Sequence, residues 1–200
     1  MPVQPHVLYL HGFLSSPKSY KAQQTLAYCN RVGLGKRITI PAMRLGPADT
    51  IAQLHALIAD IGSDNLVLMG SSLGGYYATY LSEFYRAPTV LINPAVRPFE
   101  LWESHLGENR NYYSDEIHVV TGEHIDELRQ IEVKRLSEPS NFKVYLQTSD
   151  ETLDYRQALE KYSAIHCVVR ENGSHSFENF EQEIPAMFDF LLSRISGNKR

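Results

Sequence analysis

Six short apolar runs constrain this chain more than any other feature: His6–Leu10, Arg37–Ile40, Asn65–Met69, Thr89–Ile92, Phe142–Gln147 and Ile165–Arg170. Most are apolar nearly throughout instead of alternating, which is the pattern of parallel strands covered on both faces. Helix-length stretches separate them, at Ser19–Asn30, Ala48–Ile61, Leu73–Phe84, Leu153–Tyr162 and Phe177–Ile195. Pro185 falls inside the last of these and is expected to kink or divide it. Alternating strands and helices predict an α/β three-layer sandwich around a mostly parallel sheet of about six strands. The interval Pro98–Ser140 breaks the alternation. It has no clear strand, holds Trp102 and a polar helical segment near Glu123–Leu136, and reads as a small helical lid or an elaborated crossover.

At 200 residues the chain suits one domain spanning 1–200, with 98–140 as the insertion. A chain of this size buries roughly 70% of its unfolded surface, enough for a core without metals or disulfides. With 19 basic against 23 acidic residues, the net charge of -4 gives no reason to expect nucleic acid or an anionic membrane as partner. Lys199 and Arg200 read as a solvated tail. Cys29 and Cys167 stand far apart and are expected as reduced thiols. No basic segment leads into a long apolar run at the N-terminus, and no run approaches the ~20 residues of a membrane span. The expected location is the cytoplasm.

The third apolar run leads into Gly70-Ser71-Ser72-Leu73-Gly74, a G-x-S-x-G pentad between strand and helix. Centring the pentad on Ser71 would need glycines at 69 and 73, which are Met and Leu, so Ser72 is the candidate nucleophile. A sharp strand-to-helix turn crowds the backbone, and Gly70 and Gly74 omit side chains at the crowded points. Position 72 then projects a hydroxyl above the carboxyl end of the sheet, at a helix N-terminus where developing negative charge is favoured. The glycines do not fit G-x-G-x-x-G or a P-loop.

A serine hydroxyl needs a base, and the base needs an orienting acid. In the chain order Ser, acid, His, the acid belongs after the strand ending near Gln147 and the histidine after the last strand. Asp150 and His175 occupy those places. Glu151 and Asp154 are rival acids, but Asp150 lies nearest the strand's end, and Asp154 suits the first turn of the next helix. His6, His55, His105, His118, His124 and His166 have no place in this constellation. No H-E-x-x-H or comparable cluster is present, so no metal and no cofactor are expected. An oxyanion site needs two backbone N–H groups. Leu73 follows the nucleophile, and Phe13 follows the His11-Gly12 pair at the end of the first run. His11 itself is left between a structural loop role and a catalytic one.

Four segments resemble the YqiA-type esterases, a family of small bacterial α/β-hydrolases. They are Leu8-Tyr9-Leu10-His11-Gly12-Phe13 with Ser15-Ser16-Pro17, Gly70–Thr79, Asn93-Pro94-Ala95-Val96-Arg97-Pro98-Phe99-Glu100, and Asp150–Ala158. The resemblance runs along essentially the whole chain and implies a compact α/β-hydrolase fold. It further implies hydrolysis of carboxylic esters, with acyl esters and acyl-CoA thioesters as substrates and a triad of Ser72, Asp150 and His175. Thr148-Ser149 departs from the family's usual Thr-Gly before the acid.

The expected partner is therefore a small acyl ester or thioester. Leu14, Trp102, Tyr112 and Tyr113 are candidates for the pocket lining, or equally for the insertion's own core. Arg97 reads as a contact to a substrate anion or as an ion pair fixing the crossover. An acyltransferase or peptidase on the same fold, and a non-catalytic binding protein, are the rival readings.

Overall fold

The computed structural model describes residues 4–197; the C-terminal pair Lys199 and Arg200 lies outside them. The main sheet contains six strands: β1 (His6–Leu10), β2 (Ile38–Thr39), β3 (Leu66–Ser71), β4 (Thr89–Ile92), and two later ones. Between β4 and those later strands runs a pair, β5 (Gly107–Arg110) and β6 (Ile117–Val120), that forms its own antiparallel sheet. β7 (Phe142–Gln147) and β8 (Val168–Arg170) complete the main sheet, in the order β2-β1-β3-β4-β7-β8. Every pairing within it is parallel.

Seven α-helices are described: α1 (Tyr20–Arg31), α2 (Pro47–Ile61), α3 (Leu73–Tyr85), α4 (Pro98–Trp102), α5 (Gly122–Gln130), α6 (Tyr155–Lys161) and α7 (Phe180–Gly197). The strands read as continuously apolar because both sheet faces are covered. Leu8, Leu10, Leu66, Leu68, Leu91, Val144 and Leu146 enter one core with residues of α2, α3, α5 and α6. Val7, Tyr9, Val67, Met69, Val90, Ile92 and Tyr145 enter the other, against α1 and α7. Successive strand residues thus serve opposite cores.

Two helix starts differ from the sequence expectation for evident local reasons. α7 begins at Phe180, not Phe177, because Phe177 and Asn179 hold left-handed φ values of 63° and 57° that a helix cannot contain. α7 runs unbroken through Pro185. α6 starts at Tyr155 because Asp154 is its N-cap, its carboxylate accepting from the Arg156 backbone N–H at 3.0 Å.

The interval 98–140 departs most: it holds the β5–β6 hairpin where no strand was expected. The short strands Gly-Glu-Asn-Arg and Ile-His-Val-Val carry no apolar run that a periodicity argument would register. The helix after it, α5, is shorter than the Glu123–Leu136 segment and opens on a capping box between Thr121 and His124. Val120, Ile125 and Leu128 root the interval in the core beside α2, while Ile117 and Val119 face solvent. Its tip is tied to the loop after β1. The Tyr112 N–H donates to the Leu14 carbonyl at 2.9 Å, and the Asn111 side chain donates to the Ser15 carbonyl at 3.2 Å.

Candidate active site

The turn from β3 into α3 allows very little room. A Cβ on Gly70 would lie 2.4 Å from the Gly74 carbonyl oxygen, and one on Gly74 would lie 2.1 Å from that of Leu10. Ser72 between them adopts φ 55°, ψ −123°, a conformation that L-residues hold only under constraint. The constraint is visible in its backbone. Its N–H donates to the Ile92 carbonyl at 3.1 Å, and its carbonyl accepts from Gly75 at 2.9 Å and Ala95 at 3.0 Å. β4 and the loop after it therefore hold the turn in place.

Ser72 Oγ lies 3.0 Å from His175 Nε2, and His175 Nδ1 lies 2.8 Å from Asp150 Oδ2. A carboxylate only accepts, so Nδ1 carries the proton and Nε2 accepts from the Ser72 hydroxyl. The Asp150 side chain is 2% exposed and that of His175 23%. Asp150 Oδ1 accepts the backbone N–H groups of Thr152 and Leu153 at 2.9 and 2.8 Å, which aims the other oxygen at the imidazole. Ser149, the departure from the family pattern, does not adopt a left-handed φ, and its N–H bonds the Asn172 carbonyl.

The loop carrying His175 is held by groups to which the sequence assigns no such role. Its N–H donates to Glu151 Oε2 at 2.9 Å, and that bond holds the Glu151 carboxyl below the usual carboxylate range. Lys21 Nζ donates to the His175 and Ser176 carbonyls at 3.2 and 3.1 Å. Burial holds the Lys21 ammonium down to about 8, with Asp150 and Glu151 opposing the shift. Gln147 Oε1 accepts from Ser174 and Glu178, and Asn93 Nδ2 donates to the Ser174 carbonyl. Gly173 is required here, since a Cβ at its position would sit 2.0 Å from Gln147 Oε1. No local motif flags these residues, because their partners are backbone groups distant in the chain.

A cleft of about 420 Å³ opens over Ser72 and His175. Phe13 and Leu73 line it, and neither backbone N–H makes a hydrogen bond among the described residues. Trp102, 3% exposed, packs its ring 4.6 Å from that of Phe13 and also lines the cleft. His105, which sequence reasoning set aside, stands edge-on to Phe13 in the same wall. Tyr113 and the 77% exposed Tyr112 form the rim. Leu14 is placed elsewhere: with φ 52° it turns into a smaller neighbouring cavity beside Met43 and Tyr77.

His11 is fully engaged structurally. Nδ1 donates to the Gly12 carbonyl at 3.0 Å, Nε2 accepts from Met43 N–H at 3.4 Å, and burial lowers its basicity. Arg97 pairs with Glu100 at 3.5 Å, both half exposed, and does not line the cleft. Asp154, the rival acid, bonds Arg156. Cys29 and Cys167 are free thiols, and burial pushes Cys29 up to about 12. Among the described residues no cluster could hold a metal ion, and no helix is long and apolar enough to cross a membrane.

Solved structures share this architecture. Mouse alpha/beta hydrolase domain-containing protein 10 superposes with a TM-score of 0.77 at 14% identity, over 98% of this chain and 92% of that one. Est1E from Butyrivibrio proteoclasticus, solved with ferulic acid bound, gives 0.73 at 13% identity over 98% and 91%. The monoacylglycerol lipase of Paleococcus ferrophilus gives 0.66 at 14% identity over 95% and 96%. At such identities the likeness establishes the α/β-hydrolase fold. The model of the uncharacterised protein family UPF0227 matches residues 6–192, and the chain belongs to that family, the YqiA-type group its motifs resemble.

Proposed function

We propose that this protein is a serine hydrolase acting on acyl esters, with acyl-CoA thioesters in the same class of substrate. One observation carries the reading: a continuous hydrogen-bonded line from Ser72 Oγ through His175 to Asp150, at the floor of an apolar cleft. Ser72 attacks the ester carbonyl while His175 Nε2 takes its proton. Asp150 keeps the imidazole in the required tautomer and stabilises its charged form. The N–H groups of Phe13 and Leu73 receive the oxyanion, each worth on the order of 10²–10³ in turnover. His175 then protonates the leaving alcohol or thiol and activates the water that hydrolyses the acyl-enzyme. No step calls for a cofactor.

The segment 98–140 shapes the cleft through Pro98, Leu101, Trp102 and His105, and acts as its lid. The kinship in fold with a lipase supports ester chemistry. The test is labelling by a fluorophosphonate probe alongside a panel of ester, thioester and amide substrates. The intact protein should label and turn over esters, and Ser72→Ala should lose both by about 10⁶-fold in turnover. Labelling that survives Ser72→Ala and vanishes in Ser71→Ala would move the nucleophile by one residue. Turnover that survives both Ser72→Ala and Ser71→Ala would end the serine-hydrolase reading.

A further inference from the structure

The cleft has two unlike sides. Phe13 and Trp102 on one side belong to the core beneath α2 and α3. Tyr9 on the other belongs to the core beneath α1 and α7, and Ser71 emerges from β3 toward that same face. Tyr9 is 0% exposed, lines the cleft, and its hydroxyl makes no hydrogen bond of normal geometry. Beside it stands the Ser71 hydroxyl, and Tyr113 lines the same cleft. Burial raises the Tyr9 phenol, so it remains a neutral donor. Ser19 also lines this side and its side chain does not cap α1.

A buried hydroxyl without a partner costs stability, and buried polar groups are ordinarily satisfied. An orphan hydroxyl beside a substrate cleft, flanked by two more hydroxyls, suits an oxygen supplied by the substrate. The charges nearby argue for a neutral one. Lys21 is matched by Asp150 and Glu151, and Glu181 accepts from Tyr20, which leaves no surplus cation for a carboxylate.

We propose that Tyr9, Ser71 and Ser19 form a subsite for a neutral hydroxyl or carbonyl oxygen of the substrate, which makes oxygenated esters the preferred class over plain hydrocarbon esters. This rests on the ester-hydrolase reading above and deepens it. A site built around an unpaired hydroxyl discriminates strongly against an analogue lacking the matching group, because the protein group then stays unpaired.

The test compares kcat/KM for matched ester pairs across chain lengths. In one series the hydroxyl terminates the acyl chain, as in 4-nitrophenyl 6-hydroxyhexanoate against hexanoate. In the other it terminates the alcohol, as in 4-hydroxybutyl butyrate against pentyl butyrate. The best hydroxylated member of one series should be preferred at least about tenfold, and the series identifies which arm enters the subsite. Tyr9→Phe should collapse that ratio toward one while its Tm equals or exceeds that of the parent, and Ser71→Ala should reduce the ratio less. Equal rates within every pair, or a preference unchanged in Tyr9→Phe, overturns the subsite even if all esters are cleaved. If no ester is cleaved, the hydrolase reading fails separately. Calorimetric binding of 6-hydroxyhexanamide against hexanamide then reads the subsite directly. Equal affinities would refute it, and tighter binding of the hydroxyamide that Tyr9→Phe abolishes would uphold it.

Discussion

The Ser72 turn and the 98–140 excursion sit across the same cleft and are built on opposite terms. In the turn, glycine Cβ positions fall within 2.1–2.4 Å of backbone oxygens, and Ser72 holds a left-handed φ with its own N–H and carbonyl both bonded. The excursion is rooted by Trp102, Val120, Ile125 and Leu128, while Leu106, Ile117, Val119 and Tyr112 face solvent. Close packing leaves the turn one arrangement, which is what a reacting hydroxyl held within a few tenths of an ångström requires. The excursion, with more of its apolar side chains in solvent, is expected to tolerate change more readily. In this molecule the proposed nucleophile is held by backbone crowding, and the cleft is shaped by side chains on a looser frame.

Substitutions in the two regions should have unequal consequences. Asp150→Asn should lower kcat by about 10⁴, whereas Asp154→Asn should leave it near the parent value because Asp154 only caps α6. Comparable losses in steady-state assays of the two would reassign the acid. Gly74→Ala should destabilise by about 4 kcal/mol or more, or prevent folding, since its Cβ meets fixed backbone oxygens. In the excursion, Gly122→Ala has no atom within 4 Å of its new Cβ and should shift denaturant stability by less than about 0.5 kcal/mol. Similar losses at both glycines would dissolve the contrast. Glu151→Ala should reduce kcat about tenfold by releasing the His175 N–H, with the melting temperature little changed.

Buried Lys21 makes the stability depend on pH. The folded Lys21 is held down to about 8, below the unfolded value of 10.5, so below about 8 the protein carries the full cost of burying the charge. Between about 8 and 10 the unfolded chain binds more protons, and that cost is relieved as pH rises. The stability of the parent relative to Lys21→Met should therefore climb across that window in urea titrations. A flat difference would mean that the ammonium is not desolvated. The smallest effect belongs to Ile117→Ser with Val119→Ser, where two solvent-facing hairpin residues should change stability by no more than about 0.5 kcal/mol.

That Ser72, Asp150 and His175 come together was legible because each follows a strand that announces itself by apolar composition, and strand ends in a parallel sheet converge on one edge. The sheet was legible for the same reason. Glu151 and Lys21 were not, because what they hold is the peptide backbone of His175, and sequence carries no mark for a main-chain partner 24 or 154 residues away. Phe177 looked helical by its apolar spacing, yet its positive φ belongs to the turn that ends the His175 loop. The β5–β6 hairpin escaped notice because its strands are only four residues long, with polar side chains on half of their positions.

The bonds from Tyr112 to the Leu14 carbonyl and from Asn111 to the Ser15 carbonyl give the hairpin tip a hold on the loop that carries the Phe13 N–H. The outer wall of the cleft and one of the two proposed oxyanion donors therefore share a tether. Under the proposed function, a substrate group that draws Tyr112 or Tyr113 inward would pull on the Leu14–Ser15 peptide, two peptides beyond the Phe13 N–H, so that grip at the entrance and alignment at the reacting carbon would be coupled.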